Sequence, residues 1–165
     1  MKLTTKNVTI LGMLTALYVV FSSFLKFTLV GNIMVDLGYI VFAFALCMYG
    51  PWGAVVGVLG CALESILFSA YGFSVSWVAA NLYIGLVCGF GFWKSRHPFA
   101  RTLITVFSVA AAMLGIKTLI ECNLYNIPWE VKMPKNAVAF VADAVTMILG
   151  ILFYELMRER VGDRL

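Results

Sequence analysis

The stretch LGYIVFAFALCMYGPWGAVVGVLG, residues 37–60, carries no charged side chain and is broken only by Tyr49-Gly50-Pro51-Trp52. A helix that spans a bilayer needs about 20 mostly apolar residues. Glycine and proline side by side are typical of a turn, and proline is well suited to the first position of the helix that follows. The stretch therefore predicts two apolar helices joined by a tight turn.

The rest of the chain has the same apolar character. Hydrophobic residues make up 62% of the 165 residues and charged residues 12%, against roughly 45–50% and about 25% in soluble domains. The mean hydropathy is +0.97. A soluble domain of this size buries only about 70% of its unfolded surface and could not hide so much apolar area. The composition excludes a soluble enzyme, a nucleic-acid module and a disordered linker, and it indicates an integral membrane protein.

The sequence lacks the residues that several kinds of functional site require. The four cysteines, Cys47, Cys61, Cys88 and Cys122, form no CxxC pair, so packing is the favoured interpretation over metal or disulfide roles. His97 is the only histidine, which leaves histidine-based zinc sites and Ser-His-Asp chemistry incomplete. No GxxxxGK[ST] phosphate loop is present, so any use of ATP belongs to another chain. We expect neither a metal nor a cofactor.

The apolar runs predict a single domain, residues 1–165, that is all-α and crosses the membrane six times in one bundle. The amino-terminal run could pass for a signal peptide, but no small-x-small cleavage site follows it, so we interpret it as a retained span. The longer connections are expected at 26–34 and 123–134. The six spans are placed at residues 7–25, 35–50, 52–70, 74–93, 99–122 and 135–157.

Positive charges orient this bundle. With the amino terminus inside, eight basic residues fall on the cytoplasmic side and three on the outer side. Because cytoplasmic segments carry an excess of lysine and arginine, we predict that both termini are cytoplasmic. The inner group is Lys2, Lys6, Lys94, Arg96, Arg101, Arg158, Arg160 and Arg164, and the outer group is Lys26, Lys132 and Lys135.

Polar residues of several spans fall at a similar depth in the predicted outer half. Charges within spans are costly and usually functional, and a few convergent polar groups beside aromatic walls are typical of a ligand pocket. We favour such a pocket over a purely structural network, in which Lys117 and Glu121 would neutralise each other and Asp143 would bridge helices. The predicted substrate-binding residues are Asp36, Glu64, Trp77, Asn81, Lys117, Glu121, Tyr125, Trp129 and Asp143, with Tyr71 as a further aromatic neighbour.

Small residues suggest close helix contacts. Gly12 and Ala16 form a small-xxx-small step on the first helix, where a partner protein or a neighbouring helix could pack. That choice stays open from the sequence. For Gly53, Gly57, Gly60, Gly85 and Gly89, on the third and fourth helices, we expect packing within the chain.

These patterns resemble a known family, the substrate-binding S components of energy-coupling factor (ECF) vitamin transporters. The run TILGMLTALYVV, residues 9–20, resembles the family's first helix, with Gly12 in place of the first alanine of an AxxxA-type motif. Residues 49–60 are similar to the stretch G-P-x-x-G-A-x-V-G-x-L-G of the folate and pantothenate branches, which often place an acid where Cys61 stands here. The segment 123–134 resembles the outer loop of the folate branch, whose usual arginine is missing or replaced by Lys135.

The resemblance implies a subunit that captures a scarce vitamin outside a prokaryotic cell and delivers it across the plasma membrane. A transmembrane coupling subunit, meeting Gly12 and Ala16, and two cytosolic ATPases would be its partners, and no nucleic acid is expected. A folate-like ligand is favoured and pantothenate comes next. Two alternatives stay open: a small intramembrane enzyme that uses Glu64, Glu121 or Asp143 as acid or base, and a non-catalytic assembly protein.

Overall fold

A computed structural model describes residues 4–25, 27–29, 33–68, 72–95 and 97–161. The expectations for Lys2, Lys26, Tyr71, Arg96 and Arg164 fall outside these residues. The described part is helical apart from two short antiparallel strands, in which Phe27 pairs with Val35. The elements are α1 (Thr5–Phe24), β1 (Phe27–Leu29), β2 (Ile33–Val35), α2 (Gly38–Tyr49), a 3₁₀ turn (Gly50–Gly53), α3 (Ala54–Phe68), α4 (Val75–Lys94), α5 (Pro98–Ala110), a π-helical turn (Ala111–Lys117), α6 (Thr118–Tyr125) and α7 (Trp129–Val161).

Five helical stretches among the described residues are long and apolar enough to cross a membrane. One of them, Gly38–Phe68, contains both the second and the third predicted span. Gly50 has a positive φ of 57°, and a Cβ added at Gly53 would lie 2.6 Å from the carbonyl oxygen of Ala45. Gly57 likewise faces the ring of Phe42, so α2 and α3 run antiparallel. The structure thus agrees with a membrane-spanning helical bundle, while six crossings and cytoplasmic termini stay predictions.

Glycines set the close approach of several helices. A Cβ at Gly85 would lie 2.6 Å from the Cβ of Ala54, and one at Gly89 would lie 2.7 Å from the Cα of Pro51. These contacts hold α4 against α3 and the preceding turn, because only hydrogen fits there. The expected packing role of the glycines on α3 and α4 is therefore confirmed. Around them the bundle core is apolar, and its large, fully buried side chains include Tyr18, Phe42, Leu46, Ile84, Met147 and Ile151.

The last helix begins earlier than the sequence predicts. The segment 123–134 was expected to be a loop, but α6 continues to Tyr125 and α7 starts at Trp129. The carbonyl oxygen of Pro128 accepts hydrogen bonds from the backbone N–H groups of Val131 and Lys132, which starts the helix. Pro134 then lies inside the helix, near its beginning. Because proline lacks an N–H, the helix forgoes one backbone bond there and continues.

The contact between α7 and α2 gives a test of this packing. A Cβ at Gly150 would lie 2.9 Å from the Cβ of Ala43 and would also collide with the carbonyl oxygen of Ile40. We expect Gly150→Ala to lower the free energy of unfolding by about 1–3 kcal/mol, the usual cost of overpacking. Thermal unfolding of the purified protein in detergent measures the change. Gly12→Ala, which meets nothing within 4 Å, is the control, and an equal loss in both variants would contradict the prediction.

Candidate functional site

Lys117 is the buried cation around which the predicted site residues can be placed. It ends the π-helical turn, and only 4% of its surface is exposed. Its Nζ lies 3.3 Å from the centroid of the Trp77 ring on α4, a cation–π contact. No carboxylate of the described residues comes within ion-pair distance of this Nζ. The charges of Glu121 and Asp143 nevertheless act on it, so three predicted site residues surround the lysine.

Two of the predicted residues near Lys117, Asn81 and Asp143, are buried and have side-chain atoms without hydrogen bonds among the described residues. Asn81 lies one turn after Trp77 on α4, is fully buried, and neither atom of its amide has a partner among the described residues. The thiol of Cys61 lies beside it, but a thiol is a weak hydrogen-bonding group. On α7, Asp143 is 1% exposed and its Oδ2 is likewise unpartnered. Both side chains therefore keep hydrogen-bonding capacity that the described protein does not use.

Glu121, in contrast, is fully engaged by protein groups. Its Oε1 accepts a hydrogen bond from the Ser76 hydroxyl at 3.3 Å, and its Oε2 accepts one from the Asn136 amide at 3.1 Å. Lys132 completes the set with an ion pair of 3.3 Å to the same Oε2. The alternative in which Lys117 and Glu121 form a neutralising pair is therefore replaced by a pair between Glu121 and Lys132. Glu121 connects α4, α6 and α7.

The π-helical turn positions these groups. The Thr118 hydroxyl donates to the carbonyl oxygen of Met113, five residues earlier, at 2.9 Å. It also accepts a hydrogen bond of 2.9 Å from the Asn136 amide. Lys117, the last residue of this turn, and Thr118 and Glu121, at positions i+1 and i+4 from it, lie on one helix face and are all buried. Such single π turns are frequent at functional sites.

The other predicted site residues have different surroundings. Asp36 stabilises the start of α2: its Oδ1 accepts the backbone N–H of Gly38 at 2.8 Å and the hydroxyl of Ser22 on α1. Glu64 is half-buried on α3, one turn after Cys61. Tyr125 and Trp129 are 49% and 44% exposed at the two sides of the turn between α6 and α7. The structure thus brings together Trp77, Asn81, Lys117, Glu121 and Asp143.

Sequence reasoning did not predict the contacts of Glu121 with Ser76, Lys132 and Asn136, or the hydrogen bond between Asn136 and Thr118. Lys132 and Asn136 lie four residues apart, which places them on one helix face, but only if residues 129–136 are helical. The loop predicted there hid that signal. Among the described residues no group of three His, Cys, Asp or Glu side chains could hold a metal ion.

A second missed feature is Arg101, which was counted as a cytoplasmic surface charge. It is only 4% exposed, and its guanidinium forms an ion pair of 2.7 Å with Glu155 on α7. The rings of Phe92 and Tyr154 lie 5.8 and 5.4 Å from the guanidinium carbon. The Nε also donates to the carbonyl oxygen of Ser95. Arg101 therefore ties α4, α5 and α7 together at the end of α4.

The small-residue step of α1 faces away from the bundle. The buried face of α1 consists of Leu11, Thr15, Tyr18 and Ser22. Gly12 and Ala16 lie on the exposed face, and nothing comes within 4 Å of a Cβ built at Gly12. The sequence left open whether Gly12 and Ala16 contact a neighbouring helix or a partner protein. Within the described part of this chain, neither residue forms a close contact with a neighbouring helix.

Comparison with known proteins identifies the family. Residues 2–159 match the family model described as ECF-type riboflavin transporter, S component. The chain belongs to this family of S components, and the resemblance found in the sequence is confirmed. A UPF0397 protein of Streptococcus pneumoniae is 31% identical over 150 residues, covering 90% of this chain and 78% of the relative. A UPF0397 protein of Clostridium perfringens is 25% identical over 161 residues, covering 90% and 86%.

Two solved structures share the fold. The S component for biotin from an ECF-type ABC transporter superposes with a TM-score of 0.69 at 17% identity, covering 96% of this chain and 95% of the other. FolT bound with folic acid gives a TM-score of 0.70 at 19% identity, covering 90% and 94%. At these identities the two structures establish the fold. The family and these neighbours are transporter S components, not enzymes.

The Glu121 cluster gives a stability test. Glu121→Met should lower the free energy of unfolding by about 1–3 kcal/mol, because the Ser76 hydroxyl and the Asn136 amide each lose one acceptor and Lys132 loses its ion pair. Glu121→Gln can still accept from Asn136 and donate to Ser76, so the loss should be smaller. Thermal unfolding of the ligand-free protein in detergent compares the two variants. Equal losses would show that the hydrogen bonds contribute nothing beyond the charge.

Proposed function

We propose that this chain is the substrate-binding subunit of an ECF-type importer, which captures a small water-soluble vitamin outside the cell with high affinity. The observation that carries the proposal is the buried group of Lys117 on Trp77 with Asn81 and Asp143 beside it. An assembly protein would use its buried polar groups to join helices, as Glu121 does. Asn81 and Asp143 instead keep unpartnered atoms, which suits a site completed by a ligand.

The same group favours a planar ligand without negative charge. Trp77 offers a ring for stacking, while Asn81 and Asp143 offer donors and acceptors to the edge of a heterocycle. Among the described residues two acids, Glu121 and Asp143, act on Lys117, and the nearby Lys132 is already paired with Glu121. The two carboxylates of folate would be repelled by the negative charges of Glu121 and Asp143. We therefore rank riboflavin, the vitamin in the family's description, ahead of folate and pantothenate.

The first helix supports a membrane partner. Because Gly12 and Ala16 lie on the exposed face of α1, a partner helix could approach its backbone closely. We propose that this face meets the transmembrane coupling subunit, and that two cytosolic ATPases supply the energy that this chain has no nucleotide site to provide. The bundle would cross a prokaryotic plasma membrane six times with both termini inside. It would deliver its ligand by turning in the membrane, as the resemblance implies.

Enzyme chemistry has less support. A general acid and base would need two groups near one bond. Glu121 is held by three protein side chains, and Glu64 lies on α3, one turn after Cys61. The family and its structural neighbours are transport subunits as well. A binding subunit therefore accounts for more of the buried polar groups than an intramembrane enzyme does.

Ligand binding tests the proposal directly. Purified protein should carry a small molecule, identified by mass spectrometry, and should bind riboflavin in a calorimetric titration. Lys117→Met should weaken that binding by about 1.5–3 kcal/mol, the size of a hydrogen bond that involves a charged group. Lys94→Met, an exposed lysine at the end of α4, is the control and should bind like the wild type. Failure of the wild type to bind riboflavin, folate or pantothenate would refute the proposed function.

Coupling is tested on the exposed face of α1. Gly12→Leu combined with Ala16→Leu should abolish complex formation with the coupling subunit and vitamin uptake by cells, because leucine side chains hold the partner helix away. The isolated variant should bind its ligand like the wild type, since neither residue faces the bundle. Val145→Leu, at an exposed position of α7, serves as the control. Loss of ligand binding in the double variant would assign both residues to packing within the chain.

A further inference from the structure

Three helices each bury a polar side chain with an unpartnered atom in the same part of the bundle. Besides Asn81 on α4 and Asp143 on α7, the hydroxyl of Tyr39 on α2 has no hydrogen-bond partner among the described residues. Tyr39 is fully buried, and its ring packs against those of Tyr18 and Phe42. From the sequence alone it belongs to an apolar run and carries no sign of a polar role.

Helix contacts place Tyr39 next to the group around Lys117. On α7, Gly150 lies two turns after Asp143 and meets Ile40 and Ala43 of α2. On α4, a Cβ built at Gly85, one turn after Asn81, would lie 3.4 Å from the ring of Phe42, one turn after Tyr39. The charge of Asp143 also acts on the Tyr39 hydroxyl. Asp143 in turn acts on Lys117, which lies on the Trp77 ring. Cys61, which lies beside Asn81, also acts on Tyr39. The three unpartnered groups therefore lie on neighbouring helices, and none of them has a hydrogen-bond partner among the described residues.

The neighbouring Tyr18 offers a comparison, because its hydroxyl has a hydrogen-bond partner. The ring centroids of Tyr18 and Tyr39 are 6.4 Å apart, and both side chains are buried. The Tyr18 hydroxyl is hydrogen-bonded to Ser22, whose own hydroxyl donates to Asp36. Buried polar groups in proteins nearly always find such partners. The absence of one at Tyr39, beside two other unpartnered groups, is therefore informative.

We infer that Tyr39 is a ligand-binding residue, and that Tyr39, Asn81 and Asp143 together bind the edge of a ring that carries N–H and C=O groups side by side. The carboxylate of Asp143 accepts from a ring N–H, the Tyr39 hydroxyl donates to a ring carbonyl, and the Asn81 amide can do either. Cyclic imides and lactams present such an edge. This inference rests on the proposed function and adds to it a residue and the chemical class of the bound edge.

Tyr39→Phe tests the assignment, because it removes the hydroxyl and leaves the buried ring. Titration with riboflavin should show an affinity about 3–10-fold weaker than wild type, the value of one hydrogen bond. The unfolding temperature of the ligand-free variant should equal or exceed that of the wild type, since the lost hydroxyl has no partner in the protein. Tyr18→Phe, the matched control, should lower that temperature and leave the affinity unchanged.

A second measurement changes the ligand instead of the protein. Riboflavin methylated at the imide nitrogen lacks the ring N–H and should bind the wild type at least tenfold more weakly than riboflavin, because Asp143 is left without a donor. Equal affinity for the two ligands would overturn the assignment of the bound edge. This comparison does not depend on the folding of any variant.

The outcomes separate this inference from the proposed function. If the wild type binds riboflavin and Tyr39→Phe binds it equally well, the inference is wrong and the proposed function stands. If Tyr39→Phe lowers the stability of the ligand-free protein without weakening binding, the hydroxyl is hydrogen-bonded to an internal water. Its role is then structural, and the inference is wrong. If the wild type binds folate instead, the same variants are titrated with folate, whose pterin ring also carries N–H beside C=O. If the wild type binds none of the three vitamins, both proposals fail.

Discussion

An apolar bundle offers few hydrogen bonds to a polar side chain, and this constraint divides the buried polar groups of the protein into two kinds. Groups of the first kind complete one another: Arg101 with Glu155, and Glu121 with Lys132 and Asn136. These pairs join α5 to α7 and α6 to α7 through polar atoms. Groups of the second kind, which include Asn81 and Asp143, keep unpartnered atoms. The first kind contributes to stability, and the second kind keeps hydrogen-bonding capacity that the described residues do not use.

Much of the helical fold can be predicted from the sequence, because apolar length and turn residues act locally. The glycine and proline at residues 50 and 51 correctly predicted the sharp reversal between α2 and α3. The main error in the predicted helix boundaries, the late start of the last helix, came from two prolines. Pro128 starts α7 and Pro134 lies within it, whereas the sequence favoured Pro134 as the boundary. Proline is compatible with the first turn of a helix and unfavourable further in, so its role depends on where the helix starts.

The site could be predicted only in part, because burial and pairing depend on contacts between distant segments. Charge within an apolar run was enough to single out Lys117, Glu121 and Asp143. Charge alone could not show that Glu121 pairs with Lys132. Lys132 reaches Glu121 from α7, and the sequence predicted that this helix starts only at residue 135. The hydrogen bond of Asp36 to the start of α2 could not be predicted, because a carboxylate that caps a helix and one that meets a ligand look alike in sequence. For Arg101 the sequence predicted an exposed side chain, because the residue lies close to the end of a predicted span. The structure instead buries it.

The π-helical turn has a consequence for how such a protein can change over evolution. A π turn holds one residue more than the α-helical turn it replaces. Because both turns close one full rotation, deleting a single residue between Ala111 and Lys117 would restore a regular helix and leave the segment after it facing nearly the same way. The side chains of Thr118–Tyr125 that face the interior would continue to face it, with every helix still in its place. One insertion or deletion can thus change the residues of the turn itself while a relative keeps the rest of the helix unchanged.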